Sequence, residues 1–318
     1  MAKKQSISKK IGRGFRDAIE GVAVGLAGAL VPRLSRRAEL RLAAFLGSAA
    51  FAFALKTRRV AEANLGVVYG DAKTRAEKRA IAKASTIHTF QLMLDYFWFS
   101  RDTTARLERF CVCEDPGING MIAEATPAFF ITAHLGNWEV ASTYFSNNGR
   151  SFASVYRPIG THKTLARLSR FRQSTGQQMI PKDGAAKGVL RAIRAGCIVA
   201  LVMDQHTDLR DGGIFLDFFG LPAAFSNLCG VVANRMKIPV CIACSVHDAK
   251  EDKYRIKTYG TITADEAARL APEEITARIV GTIERMILDN PAQWFWSYRR
   301  WKRCPEGDDV RRFPFYVK

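Results

Sequence analysis

Short apolar runs alternate with amphipathic stretches along most of the chain from residue 127 onward. The apolar runs have the length of buried strands, and the stretches between them place apolar residues at helical spacing. Several of these stretches end at a glycine, such as Gly149, Gly176 or Gly196. The alternation predicts an α/β fold with a mainly parallel sheet flanked by helices. The predicted strands are 128–133, 152–156, 177–180, 197–203, 239–246 and 254–260, and the predicted helices are 137–147, 162–175, 184–195, 226–236 and 272–289.

The chain before residue 127 has a different pattern. Residues 60–110 have mostly helical spacing, and two apolar runs, Gly21–Val31 and Leu42–Leu55, precede them between clusters of lysine and arginine. Neither run reaches the ~18 to 20 residues of a typical transmembrane helix. A cleaved signal peptide, a soluble helical hairpin and a shallow or single-pass anchor are the alternatives. The basic flanks favour a helical membrane anchor over residues 1–56, because they suit an anionic lipid surface.

The charge of the chain narrows the choice of partners. A formal net charge of +18 over 318 residues indicates an anionic partner, such as a lipid surface, a phosphorylated substrate, an acidic protein or nucleic acid. No helix-turn-helix, RNP or zinc-finger pattern is present, so nucleic acid is not expected. Seven scattered cysteines, several of them in apolar runs, indicate reduced thiols in a cytosolic compartment. Cys241 and Cys244 form C-x-x-C without a second ligand pair, so we predict core packing and no metal site.

The segment His134-Leu-Gly-Asn-Trp-Glu139 is the strongest candidate for catalysis. Its spacing alone is weak evidence, because His206 with Asp211 and His247 with Asp252 have the same spacing. Only His134 directly follows a strongly apolar strand and precedes an amphipathic helix, which is where open α/β sheets bind ligands. A histidine there, with a glutamate in the next helical turn, is typical of a general base and the residue that orients it.

Three further segments follow predicted strands or lie in loops. Val155-Tyr-Arg-Pro158 places Arg157 after a strand, where a guanidinium suits phosphate binding, although a surface ion pair is an equally good explanation. Met203-Asp-Gln205 places Asp204 at a strand end, where an acid suits binding a sugar or ordering the site, and a helix or turn cap is the alternative. The loop Asp217-Phe-Phe-Gly-Leu-Pro-Ala223 suits the lining of an apolar cleft, and ordinary loop packing is the alternative.

Taken in order, these segments and the C-terminal segment Gln293–Gly307 resemble the late acyltransferases of lipid A biosynthesis, within the lysophospholipid acyltransferase superfamily. The resemblance covers most of the chain. It implies an acyltransferase domain over residues 57–318 on the cytoplasmic face of the inner membrane. It also implies transfer of a fatty acyl chain from acyl carrier protein to a hydroxyl of a lipid A precursor. Acyl-CoA is an alternative donor, and no cofactor or covalent acyl-enzyme is expected, since G-x-S-x-G is absent.

The same resemblance implies roles for individual residues. His134 is expected to act as general base and Glu139 to hold its tautomer. Backbone N–H groups near Gly136 are expected to stabilise the oxyanion, and Arg157 to bind an anionic acceptor. The predicted substrate-binding residues are Gly136, Asn137, Arg157, Asp204 and Gln205.

Two alternatives remain open at the level of sequence. The acceptor is another membrane lipid, such as a lysophospholipid, a phosphatidylinositol mannoside or an ornithine-type lipid, or the protein is a basic membrane- or nucleic-acid-binding protein without catalysis. The C-terminal tryptophans, Trp294, Trp296 and Trp301, suit either an interfacial aromatic belt or core packing.

Overall fold

The computed structural model describes residues 21–113, 127–157 and 175–317, together with Asp115, Ile118, Gly120 and Arg172. The basic segment 1–17 therefore lies outside the described residues. So does the predicted helix 162–175, apart from Arg172 and Thr175.

The described residues form a seven-stranded sheet in the order β1-β9-β8-β2-β5-β3-β4. Neighbouring strands are parallel throughout, except that β8 and β9 form an antiparallel pair. A separate two-stranded hairpin consists of β6 and β7. The strands are β1 Cys111–Val112, β2 Ala128–Thr132, β3 Phe152–Tyr156, β4 Gln178–Pro181, β5 Ile198–Val202, β6 Gly213–Phe218, β7 Leu221–Ser226, β8 Val240–Asp248 and β9 Lys253–Ile262.

Helices cover the sheet and build the N-terminal part of the chain. The longest of them, Arg75–Trp98, begins with a reciprocal cap between Thr74 and Glu77. The helices are α1 over residues 21–30, α2 Arg36–Phe53, α3 Leu55–Tyr69, α4 Arg75–Trp98, α5 Thr103–Phe110, α6 Trp138–Asn147, α7 Ala185–Arg194, α8 Leu228–Met236, α9 Ala264–Arg269 and α10 Pro272–Asp289.

The largest apolar core lies between the sheet and the helices, and the middle strands of the sheet are buried in it. All five residues of β2 are buried, because the strand has neighbours on both edges and packed layers on both faces. Helix α10 contributes side chains such as Ile279, Ile283 and Met286 to the same core. The α/β class and the mainly parallel sheet predicted from the sequence are confirmed.

The hairpin of β6 and β7 was not predicted. The segment 217–223, which was expected to line a cleft, contains its turn. Phe219 and Gly220 both have positive φ, 54° and 78°, as a two-residue hairpin turn requires. Phe218 is fully buried, and its ring lies 6.2 Å from that of Trp294 and 5.8 Å from that of Trp301. Ordinary packing, the second of the two interpretations, is therefore what Phe218 provides.

Among the N-terminal helices, α2 packs against the rest of the protein and is also part of a candidate membrane span. Helix α2 packs along α4, with Ala43, Gly47 and Phe51 turned inward. No single helix of the described residues is long and apolar enough to cross a bilayer. Helix α2 and the segment Leu55–Ala72 pass that test only as a pair, with a bend of 90° between them. The membrane anchor over residues 1–56 stays a prediction.

The pairing of β2 with β5 determines where the candidate site forms. The two strands run parallel in equal register from Ala128 opposite Ile198 to Thr132 opposite Val202. The amide of Met203 continues the ladder by donating to the Thr132 carbonyl at 2.9 Å. Residues that follow these strands at the same distance therefore meet at one edge of the sheet.

Candidate active site

His134 and Asp204 lie together at this edge, each two residues beyond its strand. Nδ1 of His134 is 2.6 Å from Oδ1 of Asp204. The carboxylate is almost fully buried, at 3% side-chain exposure, whereas 21% of the His134 side chain is exposed. His134 is therefore the more accessible member of the pair, and Asp204 lies in the protein interior.

The carboxylate of Asp204 is held in its ionised form. Burial on its own would raise its pKa, but the charge of His134 and the hydrogen bonds from His134 and Trp294 outweigh burial, and the pKa lies below its ordinary value of 3.8. An ionised carboxylate can only accept hydrogen bonds. The proton of a neutral His134 is thus placed on Nδ1, and Nε2 has the lone pair that can accept a proton.

That lone pair has a partner in the structure. Nε2 of the Gln205 amide lies 3.2 Å from Nε2 of His134. Since Nδ1–H is donated to Asp204, the ring nitrogen Nε2 accepts and the Gln205 amide donates. Two consecutive residues after β5, Asp204 and Gln205, therefore contact the two nitrogens of the same imidazole.

The C-terminal segment adds a third side chain, Trp294, to the pair of His134 and Asp204. Trp294 donates its indole N–H to the second carboxylate oxygen of Asp204 at 2.7 Å. The segment is fixed by backbone bonds, because Phe295 donates to the His134 carbonyl and Gly136 to the Gln293 carbonyl, both at 3.0 Å. Ser85 of α4 also donates to the Trp294 carbonyl. The site thus draws on strand ends that are distant in sequence and on this C-terminal segment.

The aromatic belt is wrong for the tryptophans of this segment. Trp294, Trp296 and Trp301 are at most 2% exposed, so core packing is their role. Arg300 is also fully buried, with its guanidinium 3.9 Å from the centre of the Phe225 ring and one N–H donated to the Ala224 carbonyl. These side chains are buried because the segment Trp294–Trp301 packs over the β6–β7 hairpin instead of facing solvent.

Glu139 does not have the contact expected of it. Arg172 donates to both of its carboxylate oxygens, from Nε at 2.8 Å and from a terminal nitrogen. Trp138 adds its indole N–H at 3.2 Å. Among the described residues, no hydrogen bond joins Glu139 to His134, and the orienting contact belongs to Asp204 instead. The physical reason is that the carboxylate of Glu139, in the first turn of α6, is held by Arg172.

The other two histidines with an acid five positions later differ from each other in their acidic partners. His206 has Asp208 as its acidic partner, at 3.6 Å, and not Asp211. His247 does pair with Asp252, at 3.0 Å, and its side chain is only 9% exposed. The shared spacing therefore has a different structural meaning in each case.

The predicted oxyanion site at Gly136 is also corrected. Gly136 has φ +62°, and a Cβ there would overlap the carbonyl oxygen of Ser245, so only glycine fits. Its amide donates to Gln293, and the amide of Asn137 donates to the Ser245 carbonyl at 2.7 Å. Both N–H groups are therefore used to hold the loop in place and are not directed at a substrate.

Asn137 connects this loop to a buried charged cluster. Its side-chain oxygen accepts from the Val140 amide at 3.0 Å, which caps α6. Its side-chain nitrogen donates to Asp95 of α4 at 3.0 Å, and Asp95 also accepts from Arg36 and from the hydroxyl of Tyr254. Asn137, predicted to bind substrate, is thus 1% exposed and has a structural role in this state.

A second carboxylate, Glu39, shares Arg36 with Asp95. Arg36 donates to Glu39 at 2.8 Å, and all three side chains are almost fully buried. Burial, together with the charge of Asp95, raises the pKa of Glu39 to about 9 in spite of Arg36. Glu39 therefore keeps its proton to higher pH than an ordinary glutamate, and Arg36 also contacts the partly exposed Asp252 at 3.2 Å.

The other predicted site residues differ in accessibility. Arg157 is exposed directly after β3, at the same edge of the sheet as His134. Burial raises the pKa of the thiols of Cys241 and Cys244 to about 12, which makes them poor nucleophiles at neutral pH. Within the part of the chain that the structure describes, no three His, Cys, Asp or Glu side chains lie close enough together to hold a metal ion.

Sequence reasoning named His134, Asp204 and Gln205 but missed how they are connected. The equal offset of His134 and Asp204 from their strand ends was a usable signal for the pair. Trp294 and Asp95 were missed altogether as neighbours of the site. Asp95 lies inside a long helix, and no local pattern distinguishes it from an ordinary helical residue.

The chain matches a family model and curated proteins. A phosphatidylinositol mannoside acyltransferase of Mycobacterium tuberculosis (strain CDC 1551 / Oshkosh) is 24% identical over 109 residues, which are 33% of this chain and 34% of that protein. The protein of the same description from strain ATCC 25618 / H37Rv matches to the same extent. The chain thus spans about a third of the length of these curated relatives. The family model of the bacterial lipid A biosynthesis acyltransferases matches residues 13–303, and the protein belongs to that family.

Proposed function

We propose that the protein transfers a fatty acyl chain from the thioester of acyl carrier protein to a hydroxyl of a lipid A precursor. The family supports an enzyme that acts as an O-acyltransferase. The observation that carries the proposed mechanism is the 2.6 Å contact between Nδ1 of the partly exposed His134 and the buried carboxylate of Asp204.

The reaction follows from the tautomer of His134. The acceptor hydroxyl donates its proton to Nε2 while its oxygen attacks the thioester carbonyl carbon. Asp204 stabilises the imidazolium that forms, because it is ionised and accepts the Nδ1 proton. The C–S bond then breaks, and the imidazolium returns the proton to the leaving thiolate. No acyl-enzyme intermediate is needed, which agrees with the raised pKa of the buried thiols Cys241 and Cys244.

In this mechanism Glu139 acts through Arg172. The carboxylate of Glu139 accepts two hydrogen bonds from Arg172. This contact fixes the guanidinium beside the first turn of α6. Arg172 and Arg157 are then two cations near the site that suit the phosphate of an anionic acceptor, Arg157 being exposed at the strand end. Glu139 is thus proposed to position a cation for the acceptor headgroup.

The charge of α7 supports an acidic protein as the donor. Lys187, Arg191 and Arg194 are exposed on one side of this helix, which contains no acidic residue. None of the three has an ion-pair partner among the described residues. Like charges at this spacing repel one another, so an acidic partner such as acyl carrier protein would relieve that repulsion. Acyl-CoA is the alternative donor.

The N-terminal helices support a site at the cytoplasmic surface of the inner membrane. Apolar side chains of α1 and α2 and of the start of α3 project into solvent, which a soluble surface disfavours. Exposed cations, among them Arg37, Arg41 and Lys56, lie in the same region and suit anionic lipid headgroups. The exposed apolar side chains are Val22, Leu26, Leu30, Phe45, Phe53 and Leu55.

A second acceptor class has specific support. The two mycobacterial relatives are described as phosphatidylinositol mannoside acyltransferases, so a glycosylated phospholipid is the alternative to a lipid A precursor. The site chemistry described above, a base for a hydroxyl and cations for an anionic headgroup, suits either acceptor.

Mass spectrometry of lipids tests both proposals. Cells that lack the gene are complemented with the wild-type protein, with His134→Ala or with Asp204→Ala, and lipid A and phospholipids are extracted from each. We expect the wild-type protein alone to restore one acyl chain on lipid A. Restoration on a glycosylated phospholipid instead would favour the second acceptor. Restoration by His134→Ala would disprove the mechanism, provided that thermal unfolding shows the variants to be folded.

A further inference from the structure

The base of the proposed reaction is covered in the structure by a side chain of the same chain. The Gln205 amide donates to Nε2 of His134 at 3.2 Å, which is the atom that has to accept the proton of the nucleophile. Asp204 holds Nδ1, so the lone pair of Nε2 is the acceptor in this contact. The amide therefore occupies the position of the nucleophile's hydrogen bond.

Water is the competitor that this position would otherwise admit. The His134 side chain is 21% exposed, so water reaches the ring, and the Gln205 amide stands where a water would otherwise bind Nε2. A water bound there can donate a proton to Nε2 while its oxygen attacks the thioester carbonyl. The C–S bond then breaks, the imidazolium protonates the thiolate, and the products are a free fatty acid and a thiol. This hydrolysis consumes the donor without transfer.

We propose that Gln205 is a specificity-determining residue that excludes water from Nε2 until an acceptor lipid displaces it. The inference rests on the proposed function, because it assigns His134 as the base. The amide donates to the lone pair of Nε2, so a water cannot donate to the same lone pair while that contact holds. An acceptor held by its headgroup can displace the amide, because its binding energy away from the reacting hydroxyl offsets the lost hydrogen bond.

The position of Gln205 fits this role. It follows Asp204 directly, so the rigid strand β5 fixes the orienting group and the covering group together. Gln205 is only partly buried, so its side chain has room to move aside. Its contact with His134 is a neutral hydrogen bond, which contributes far less than the charged contact between His134 and Asp204. The hydrogen bond from Gln205 to His134 is thus weaker than the one from His134 to Asp204.

The test measures hydrolysis without an acceptor. Wild-type protein and the variants Gln205→Ala, His134→Ala and Gln178→Ala are incubated with dodecanoyl-coenzyme A in detergent, and free dodecanoic acid is quantified by mass spectrometry. We expect Gln205→Ala to hydrolyse the thioester about fivefold faster than wild type, the factor that corresponds to one ordinary hydrogen bond. Gln178, an exposed glutamine on edge strand β4, is the matched control and should leave the rate unchanged.

The outcomes separate this inference from the proposed function. Hydrolysis by Gln205→Ala at the wild-type rate or below, with His134→Ala inactive in transfer, overturns the role of Gln205 alone. Hydrolysis and transfer by His134→Ala at wild-type rates overturn the proposed mechanism and the inference with it.

Discussion

His134 and Asp204 form a 2.6 Å contact although 70 positions separate them in the chain. The contact arises from the equal register of β2 and β5, because each residue stands two positions beyond its strand. An interaction fixed by the sheet is more rigid than one within a single loop. The carboxylate that contacts His134 therefore comes from the end of a neighbouring strand and not from the helix that follows the histidine.

Replacing this acid should abolish most of the activity without unfolding the protein. In Asp204→Asn the carboxamide can rotate to donate to Nδ1, which places the imidazole proton on Nε2 and removes the base. We expect kcat to fall about 1,000- to 10,000-fold, as for loss of the orienting acid in hydrolytic triads. Steady-state kinetics with an acyl thioester and a lipid acceptor measure the change. A loss below about tenfold would be inconsistent with Asp204 as the orienting residue.

Glu139 provides a matched comparison, because its carboxylate contacts Arg172 and not His134. If its role is to position Arg172, then Glu139→Ala and Arg172→Ala remove the same interaction. The loss in kcat/KM of the double variant should then be close to that of either single variant, and KM for the acceptor should account for much of it. Additive losses would show that Glu139 has a separate role at the base.

The buried cluster around Arg36 predicts an unusual dependence of stability on pH. The folded-state pKa of Glu39 is raised from 4.5 to about 9, so its contribution to stability is complete below pH 4.5 and is lost as the pH rises toward 9. Glu39→Gln has no such titration. We expect the free energy of unfolding of the variant, measured with urea, to fall less than that of wild type between pH 5 and pH 9. Parallel curves would show that Glu39 is ionised in the folded protein.

The cap of α6 connects stability with activity. Asn137→Ala removes the bond to the Val140 amide and leaves Asp95 with one donor fewer, so we expect a loss of about 1–2 kcal/mol in unfolding free energy. The activity should fall as well, because residues 134–137 form the loop that carries the base. Asn137→Ser restores the cap, and we expect it to recover part of both losses. Full activity in Asn137→Ala would mean that the loop holds its shape without Asp95.

Reversal of the charge on α7 tests the surface assigned to the carrier protein. The triple variant Lys187→Glu, Arg191→Glu, Arg194→Glu should raise KM for acyl carrier protein about tenfold, while KM for the neutral donor acyl-pantetheine stays the same. The control is the same reversal at Arg75, Arg79 and Lys83, three exposed cations of α4. Equal effects of the two triple variants on acyl carrier protein would show that only the total charge matters.

Much of the fold could be predicted from the sequence, because buried strands and glycine stops are local signals. The β6–β7 hairpin was not, since its turn is Phe219-Gly220 and not the Asn-Gly or Asp-Gly that usually marks one. The partner of His134 needed the strand order, which brings β2 beside β5 although β3 and β4 lie between them in the chain. The contact between Trp294 and Asp204 depends on a C-terminal segment without regular secondary structure, which no periodicity could place.

The involvement of Trp294 has a consequence for the order in which the protein becomes active. Synthesis proceeds from the N-terminus, so β2, β5 and the pair His134–Asp204 leave the ribosome before the indole that holds the second oxygen of Asp204. A nascent chain that ends before residue 294 lacks that contact and the backbone bonds at His134 and Gly136. We therefore expect the complete site to form only after Trp294 and Phe295 have been synthesised.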